Sequence, residues 1–250
     1  MIDDEMHPPA PDYHARPDGL RLAYRYRDGT GPVIVFLPGY MSDMEGSKAI
    51  ALDQWAATTG QAMLRLDYAG CGASEGRFTD GTLESWRDDA RLLIDRFAPG
   101  EVVLVGSSMG GWIALLLARD LGSRVKALIG IAAAPDFTEW GFSDEQKAVI
   151  QSEGQLVEPT EYGDNPYVTT LAFWESGQAH LLLDRPLDIQ CPIRLLQGQR
   201  DPDVPWPTAL AIADKAGSAD IQTIFVKDGD HRLSRPQDIA LLLGTVAALP

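Results

Sequence analysis

The chain has 250 residues, of which 45% are hydrophobic and 23% are charged, a composition typical of a globular domain. Its 36 acidic and 21 basic residues give a formal net charge of −15, which disfavours nucleic acid and anionic membrane surfaces as partners. The two cysteines, Cys71 and Cys191, lie far apart and in no metal-ligand spacing, so we expect neither a disulfide framework nor a metal site.

Targeting and membrane signals are not recognisable in the sequence. Residues 1–6 are acidic and lack the basic and apolar regions of a secretory peptide, and they do not have the arginine-rich pattern of a transit peptide. The longest apolar run covers 239–249, whereas a membrane-spanning helix needs about 20 residues. These observations predict a cytoplasmic protein without a membrane span.

Strand-like and helix-like stretches alternate along the chain after a proline-rich N-terminal tail. The predicted strands are 22–27, 33–37, 62–68, 101–106, 127–132, 193–197 and 221–226. The predicted helices are 47–59, 82–97, 109–120, 207–216 and 237–249. The strand 33–37 is apolar at every position, which indicates that both of its faces are covered. The pattern predicts the α/β class, with a mostly parallel central sheet flanked by helices.

The stretch 136–186 interrupts this alternation. It contains no convincing strand, but it contains Trp140, Phe142, Tyr162, Tyr167, Phe173 and Trp174. Connections of this length are uncommon within a domain and are often functional. We therefore predict one domain over 1–250 with a small, mostly helical lid at 136–186. The alternative is a helical extension whose aromatic residues belong to the core.

Two pentapeptides, 72–76 and 106–110, fit the G-x-S-x-G pattern of a serine nucleophile. Such a serine needs a strand before it, a helix after it, and small residues two positions away on each side. Only the second pentapeptide lies between a predicted strand and a predicted helix, so Ser74 is assigned to a turn. Ser107 would have bulky residues at both crowded positions, whereas Ser108 has glycines. Ser108 is the predicted nucleophile; the alternative is a plain strand–turn–helix connection.

A serine hydroxyl becomes an effective nucleophile when a base, commonly histidine, accepts its proton. His7 and His14 lie in the proline-rich tail, and His180 lies within 136–186, where it can be a packed or surface residue. His231 follows the last predicted strand and precedes the last predicted helix, which is the position expected for a base that follows such a serine. His231 is therefore the predicted base.

The carboxylate that orients the histidine is expected between the serine and the histidine, after the preceding strand. That position offers Asp201 and Asp203. Asp201 falls in a G-x-x-D-x-x-V-P arrangement and is preferred, with Asp203 as the alternative. Asp230 is assigned to a turn, because it adjoins His231 and chain neighbours rarely aim at the same point. The acid fixes the tautomer of the imidazole and stabilises the imidazolium.

An oxyanion hole requires two convergent backbone N–H groups. One is predicted at Met109, directly after the nucleophile. The other is expected in the turn 38–41, where Gly39 lets the chain bend sharply and the N–H of Tyr40 can point at the site.

These residues resemble the serine α/β-hydrolase family from residue 33 to the end of the chain. The likeness is carried by Ser108, Asp201, His231, the pair Gly39-Tyr40 and the stretch 66–70. More narrowly, four stretches are similar to the mitochondrial palmitoyl-protein thioesterase family, also described as mycophenolic acid acyl-glucuronide esterases. They are 37–48, 106–112, 203–206 and 230–232, and the part 41–48 is the most specific of them.

The resemblance implies the α/β-hydrolase fold, with Ser108 as nucleophile, Asp201 as acid and His231 as base. It implies hydrolysis of acyl thioesters or carboxylic esters, depalmitoylation included, on a small molecule or an acylated protein. We expect a serine esterase or thioesterase that forms an acyl-enzyme without cofactor or metal. Two alternatives stay open: a general carboxylesterase for small xenobiotic or acyl-glucuronide esters, and a non-catalytic binding module of the same fold. Three triad residues in the expected order count against the second.

Overall fold

The computed structural model describes residues 10–160 and 166–249. The predictions that concern residues 1–6, His7 and Tyr162 lie outside these residues. Among the helices in this part of the chain, none combines the length and apolarity that a bilayer span requires.

Ten strands and eight α-helices occur in the described residues. The strands are β1 (Asp12–Ala15), β2 (Arg21–Arg27), β3 (Thr30–Leu37), β4 (Gln61–Leu66), β5 (Val102–Ser107), β6 (Val125–Ile131), β7 (Gln155–Glu158), β8 (Tyr167–Thr170), β9 (Ile193–Gly198) and β10 (Ile221–Val226). The helices are α1 (Ser47–Thr59), α2 (Leu83–Phe97), α3 (Met109–Leu121), α4 (Phe137–Trp140), α5 (Asp144–Glu153), α6 (Leu171–Ala179), α7 (Pro207–Lys215) and α8 (Pro236–Ala247).

The central sheet has eight strands in the order β1-β2-β4-β3-β5-β6-β9-β10. β1 pairs antiparallel with β2, and β2 pairs antiparallel with β4. All the other neighbours pair in parallel. The predicted α/β class with a mostly parallel sheet is therefore confirmed. The added strand is β1, whose four residues are too few to show a hydrophobic period.

Each face of the sheet is covered by a different set of helices. Val35 and Leu37 of β3 belong to the core cluster that includes α2 and α3. Ile34 and Phe36 point to the opposite face and belong to the cluster that includes α1 and α8. Successive side chains of a strand alternate between faces, so a strand buried on both must be apolar throughout. This explains the uninterrupted apolar run at 33–37.

The stretch 136–186 lies between β6 and β9 and contains α4, α5, α6 and a separate antiparallel pair, β7 and β8. The helices agree with the sequence prediction, whereas the expectation that the stretch has no strand was wrong. Each of these strands has only four residues; the burial alternates along β7 but not along β8. The pairing between them therefore forms a hairpin that hydrophobic periodicity does not reveal.

Parallel pairing brings the carboxyl ends of the central strands to one edge of the sheet. Leu37 at the end of β3 pairs with Gly106 near the end of β5, and Gly198 at the end of β9 pairs with Val226 at the end of β10. The loops that follow these strands therefore emerge side by side. In open α/β sheets this edge is where ligands bind.

Candidate active site

Ser108 occupies a strained turn between β5 and α3. Its backbone has φ 54° and ψ −120°, a region that residues with a side chain rarely adopt. The turn is crowded: a Cβ added to Gly106 would lie 2.2 Å from the carbonyl oxygen of Gly110, and one added to Gly110 would lie 2.1 Å from that of Leu37. The two flanking glycines are thus sterically required, as the sequence pattern predicts.

The structure brings Ser108, His231 and Asp201 together from three separate loops. The Oγ of Ser108 lies 3.1 Å from Nε2 of His231, and Nδ1 of His231 lies 2.9 Å from Oδ2 of Asp201. Both contacts are satisfied when Nδ1 carries the ring proton and donates it to the carboxylate, which leaves Nε2 to accept from the serine hydroxyl. The imidazole is thereby held in the tautomer that can take the proton of Ser108.

Asp201 is held by four hydrogen bonds, and its side chain is 0% exposed. Oδ1 accepts from the backbone N–H groups of Asp203 and Val204, at 2.9 and 2.8 Å. Oδ2 accepts from His231 and, at 3.0 Å, from the side-chain amide of Gln197. Asp203, the alternative acid, touches this carboxylate through its backbone N–H. Gln197 is a functional neighbour that the sequence did not reveal, because its partner lies across a turn.

The turn predicted to supply the second oxyanion donor lies against the nucleophile. A Cβ added to Gly39 would lie 3.3 Å from the carbonyl oxygen of Ser107 and 3.4 Å from Cβ of Ser108. The N–H of Met109 belongs to the first turn of α3, where amides have no carbonyl partner within the helix. Met109 directly follows Ser108, and Tyr40 directly follows Gly39, which lies against Ser108. Both predicted donors are therefore next to the nucleophile or to a residue that lies against it.

Ser74 and His180, which the sequence does not favour as nucleophile and base, make structural contacts outside the group formed by Ser108, His231 and Asp201. The hydroxyl of Ser74 donates to the carbonyl of Asp67 at 2.7 Å and accepts from the N–H of Ala23 at 2.8 Å, which fixes a turn. The Nδ1 of His180 lies 2.8 Å from the carbonyl oxygen of Ser176 within α6.

His14 and Asp230, which the sequence does not favour as base and acid, also make local contacts. The ring of His14 packs edge-on against Phe97 with 5.7 Å between the ring centroids. The carboxylate of Asp230 accepts from the N–H of Leu233 at 2.9 Å and so closes a turn, as its sequence position suggests.

A cavity of about 500 Å³ opens at Ser108 and His231. Four aromatic residues of its lining come from the 136–186 stretch, namely Phe137, Trp140, Phe142 and Tyr167, and two come from outside that stretch, Phe36 and Tyr40. Phe173 and Trp174 are not among the lining residues found in the described part of the chain. Phe173 is instead 1% exposed and packed into the main core, and the indole N–H of Trp174 donates to the carbonyl of Thr138 at 2.9 Å.

Lys48 anchors the loop that carries His231. Its Nζ donates to the carbonyl oxygen of Arg232 at 2.6 Å and lies 3.4 Å from Oγ of Ser234. Burial, together with the nearby Arg232 cation, lowers the pKa of Lys48 from its ordinary value to about 8. No sequence pattern predicts this contact, although Lys48 ends the specific stretch 41–48.

Asp67 holds the loop that follows β4 through its side chain. Its carboxylate is 1% exposed and accepts from the N–H groups of Met44 and Ala73 at 2.7 and 2.8 Å. Burial raises the pKa of Asp67 to about 6. The aspartate in the stretch 66–70 therefore joins the segment after the Gly39 turn to the loop after β4.

Asp201, Asp203 and His231 each place one potential ligand atom within 4.8 Å of the others, the single such group among residues 10–160 and 166–249. However, four hydrogen bonds occupy the acceptor positions of the Asp201 carboxylate, and both ring nitrogens of His231 already face partners. A metal would have to displace these hydrogen bonds. The donor set suits a hydrogen-bonded acid and base better than a metal centre.

The fold and the arrangement at Ser108 are those of an α/β hydrolase. Residues 34–240 match the alpha/beta hydrolase family, and the chain belongs to that family. It is 40% identical over 235 residues to a human protein named "Palmitoyl-protein thioesterase ABHD10, mitochondrial", a match that covers 92% of this chain and 77% of the relative. The narrower resemblance expected from the sequence is therefore confirmed, and the relatives support a hydrolase activity.

Two solved structures agree with this placement. Mouse alpha/beta hydrolase domain-containing protein 10 superposes with a TM-score of 0.89 at 36% identity, covering 96% of this chain and 98% of that one. A putative hydrolase from Agrobacterium vitis S4 also gives a TM-score of 0.89, at 39% identity and with the same coverage.

The predicted cytoplasmic location was wrong. The human relative and its bovine counterpart, the latter 38% identical, are both named as mitochondrial proteins. The prediction depended on the composition of the first residues, and composition does not report which compartment a chain occupies.

Proposed function

We propose that this protein is a serine hydrolase that cleaves acyl thioesters or carboxylic esters through an acyl-enzyme intermediate. The observation that carries the proposal is the continuous set of contacts from Ser108 through His231 to Asp201, at 3.1 and 2.9 Å. These three side chains supply nucleophile, base and acid, so water is the one reactant that the reaction needs besides the substrate.

In the first half of the reaction, Ser108 Oγ attacks the acyl carbonyl while its proton passes to Nε2 of His231. The negative charge that develops on the carbonyl oxygen is stabilised by the N–H groups of Tyr40 and Met109. The carbon–sulfur or carbon–oxygen bond then breaks, and His231 returns the proton to the departing thiol or alcohol. Asp201 stabilises the transient imidazolium without accepting its proton.

In the second half, His231 removes a proton from water, which attacks the acyl-serine. The second tetrahedral intermediate uses the same two N–H groups. Its collapse frees the carboxylic acid and returns the proton to Ser108. The imidazole therefore alternates between base and acid in each half-reaction.

The acyl specificity is proposed to come from the 136–186 stretch, acting as a lid within a single domain. Four of its aromatic side chains line the cavity at Ser108. Each buried methylene stabilises binding by about 0.8 kcal/mol, close to fourfold in affinity. A long acyl chain is therefore a better substrate than acetyl, in keeping with the thioesterase name of the human relative.

The test compares acyl-CoA thioesters with p-nitrophenyl esters over a range of acyl lengths, for the wild type and for Ser108→Ala. We expect hydrolysis of both classes, kcat/KM that rises with chain length, and an acyl adduct on the wild type in intact mass spectra. Turnover by Ser108→Ala at the wild-type rate would contradict the mechanism. Equal kcat/KM for acetyl and long chains would contradict the acyl specificity and favour a general carboxylesterase.

A further inference from the structure

The turn that carries the proposed oxyanion donor is tied to the 136–186 stretch by the side chain of the same residue. The hydroxyl of Tyr40 donates a hydrogen bond to the backbone carbonyl of Val168 in β8, at 2.6 Å. The Tyr40 ring also contacts five other aromatic rings, with centroids 4.9–6.1 Å away. They are Phe78, Trp86, Phe137, Tyr167 and Phe173. Three of the five belong to the stretch.

The hydroxyl of Tyr40 stays protonated and therefore remains a hydrogen-bond donor. Burial raises the pKa of this phenol well above its ordinary value, so the hydroxyl keeps its proton at every pH at which the enzyme would work. The hydroxyl and the carbonyl are both partly withdrawn from water, and each satisfies the other. Because the ring is rigid and packed on several sides, its position restricts the backbone of Tyr40.

The opposite side of the turn is held by the central core. The hydroxyl of Tyr68, which is fully buried, donates to the carbonyl of Pro38 at 3.2 Å. A Cβ added to Gly110 of α3 would lie 2.5 Å from that same carbonyl, so helix and turn are in direct contact. The turn thus has one anchor in the core and another, through Tyr40, in the 136–186 stretch.

We propose that the side chain of Tyr40 is a positioning residue through which the 136–186 stretch holds the oxyanion turn beside Ser108. The proposal rests on the proposed function, since it takes the N–H of Tyr40 as an oxyanion donor. Its consequence is that the stretch affects the chemical step for every substrate, including those too short to touch its aromatic lining. Coupling between two sites is reciprocal, so filling the oxyanion hole also stabilises β8.

The direct test is Tyr40→Phe, which keeps the ring and removes the hydroxyl. We expect kcat to fall about three- to tenfold, the kinetic equivalent of one net hydrogen bond, with KM changed less than about twofold. The loss should be equal for acetyl and long-chain p-nitrophenyl esters. The affinity for a trifluoromethyl ketone, whose serine adduct places an oxyanion in the hole, should fall by the same factor. Tyr26→Phe, on a half-exposed strand residue, is the matched control and should match the wild type.

Three results would overturn the proposal. A loss confined to long-chain esters would make Tyr40 part of the acyl lining. A lower melting temperature with unchanged kcat would make the hydrogen bond purely structural. Unchanged affinity for the ketone would show that the hydroxyl does not act on the oxyanion hole. Failure of the proposed function itself looks different, because the wild type would then form no ketone adduct at Ser108.

A second measurement compares amide hydrogen exchange of the wild type and of Tyr40→Phe, each with and without the trifluoromethyl ketone. Because Tyr167 of β8 lines the cavity, direct contact with the adduct can slow exchange in β8 in both proteins. We expect the slowing in β8 to be larger in the wild type than in Tyr40→Phe, while exchange in β1, at the edge of the sheet, stays the same in both. Equal slowing in the two proteins would contradict the coupling.

Discussion

Replacing Asp201 by asparagine tests how the carboxylate controls His231. The carboxylate offers two oxygens: Oδ1 accepts from the N–H groups of Asp203 and Val204, and Oδ2 accepts from Gln197 and Nδ1 of His231. Asparagine has one oxygen and one NH₂ group, so one of the two positions must become a donor. Placing NH₂ against Asp203 and Val204 would oppose donor to donor twice.

The asparagine therefore keeps its oxygen at the Oδ1 position and turns its NH₂ toward His231. Nδ1 of His231 must then accept, so the ring proton moves to Nε2, which faces Ser108. An imidazole with a proton on Nε2 cannot take the proton of the serine hydroxyl. A wrong tautomer of this kind lowers kcat by about 10⁴, equivalent to roughly 5 kcal/mol of transition-state stabilisation.

The assay is steady-state hydrolysis of one p-nitrophenyl ester by wild type, Asp201→Asn and Asp203→Asn, with circular dichroism to confirm folding. Asp203→Asn keeps its backbone N–H to Asp201, so its kcat should stay within about twofold of the wild type. The reasoning is refuted if folded Asp201→Asn retains more than about a tenth of wild-type kcat, or if Asp203→Asn loses more than Asp201→Asn does.

Two matched phenylalanines separate substrate contact from packing. Phe142→Ala, in the cavity lining, should lower kcat/KM about tenfold for long acyl esters and spare acetyl esters in a chain-length series. Phe173→Ala, 1% exposed, should lower the free energy of unfolding by about 3–5 kcal/mol in urea and affect all esters alike. Between pH 8 and 10.5 the unfolded chain binds more protons at Lys48 than the folded one, because burial lowers the folded pKa to about 8. The free energy of unfolding of the wild type, measured by urea titration, should therefore rise relative to that of Lys48→Gln between pH 8 and 10.5. Below pH 8 the difference between the two proteins should stay constant.

The features predicted from the sequence are those with a local cause. The apolar run 33–37 follows from burial on both faces, which the two core clusters show. The preference for Ser108 over Ser107 follows from crowding at Gly106 and Gly110. In each case a short stretch carries the constraint, so periodicity and residue size were sufficient to see it.

The features that the sequence did not predict depend on contacts between distant residues. The hydrogen bond from Lys48 to the carbonyl of Arg232 spans 184 positions, and that from Tyr40 to Val168 spans 128. No local pattern marks either partner. The β7–β8 hairpin was missed for a related reason, because strands of four residues show too little periodicity to be recognised before their pairing is known.

The aromatic residues of the 136–186 stretch show where composition stops being informative. The sequence shows that these aromatic residues are present, but it does not show which of them line the cavity and which pack in the core. The structure places Phe142 at the cavity and Phe173 in the core, although both are phenylalanines of the same stretch. Whether the stretch acts as a lid stays a prediction, which the chain-length series addresses.

The central claim, that Ser108 is a nucleophile activated by His231, is tested most directly by covalent labelling. The wild type is treated with a fluorophosphonate probe, and the labelled peptide is identified by mass spectrometry. We predict a single adduct, on Ser108, with labelling absent in Ser108→Ala and strongly slowed in folded His231→Ala. An adduct on Ser74 or Ser107, or undiminished labelling of Ser108→Ala, would contradict the account.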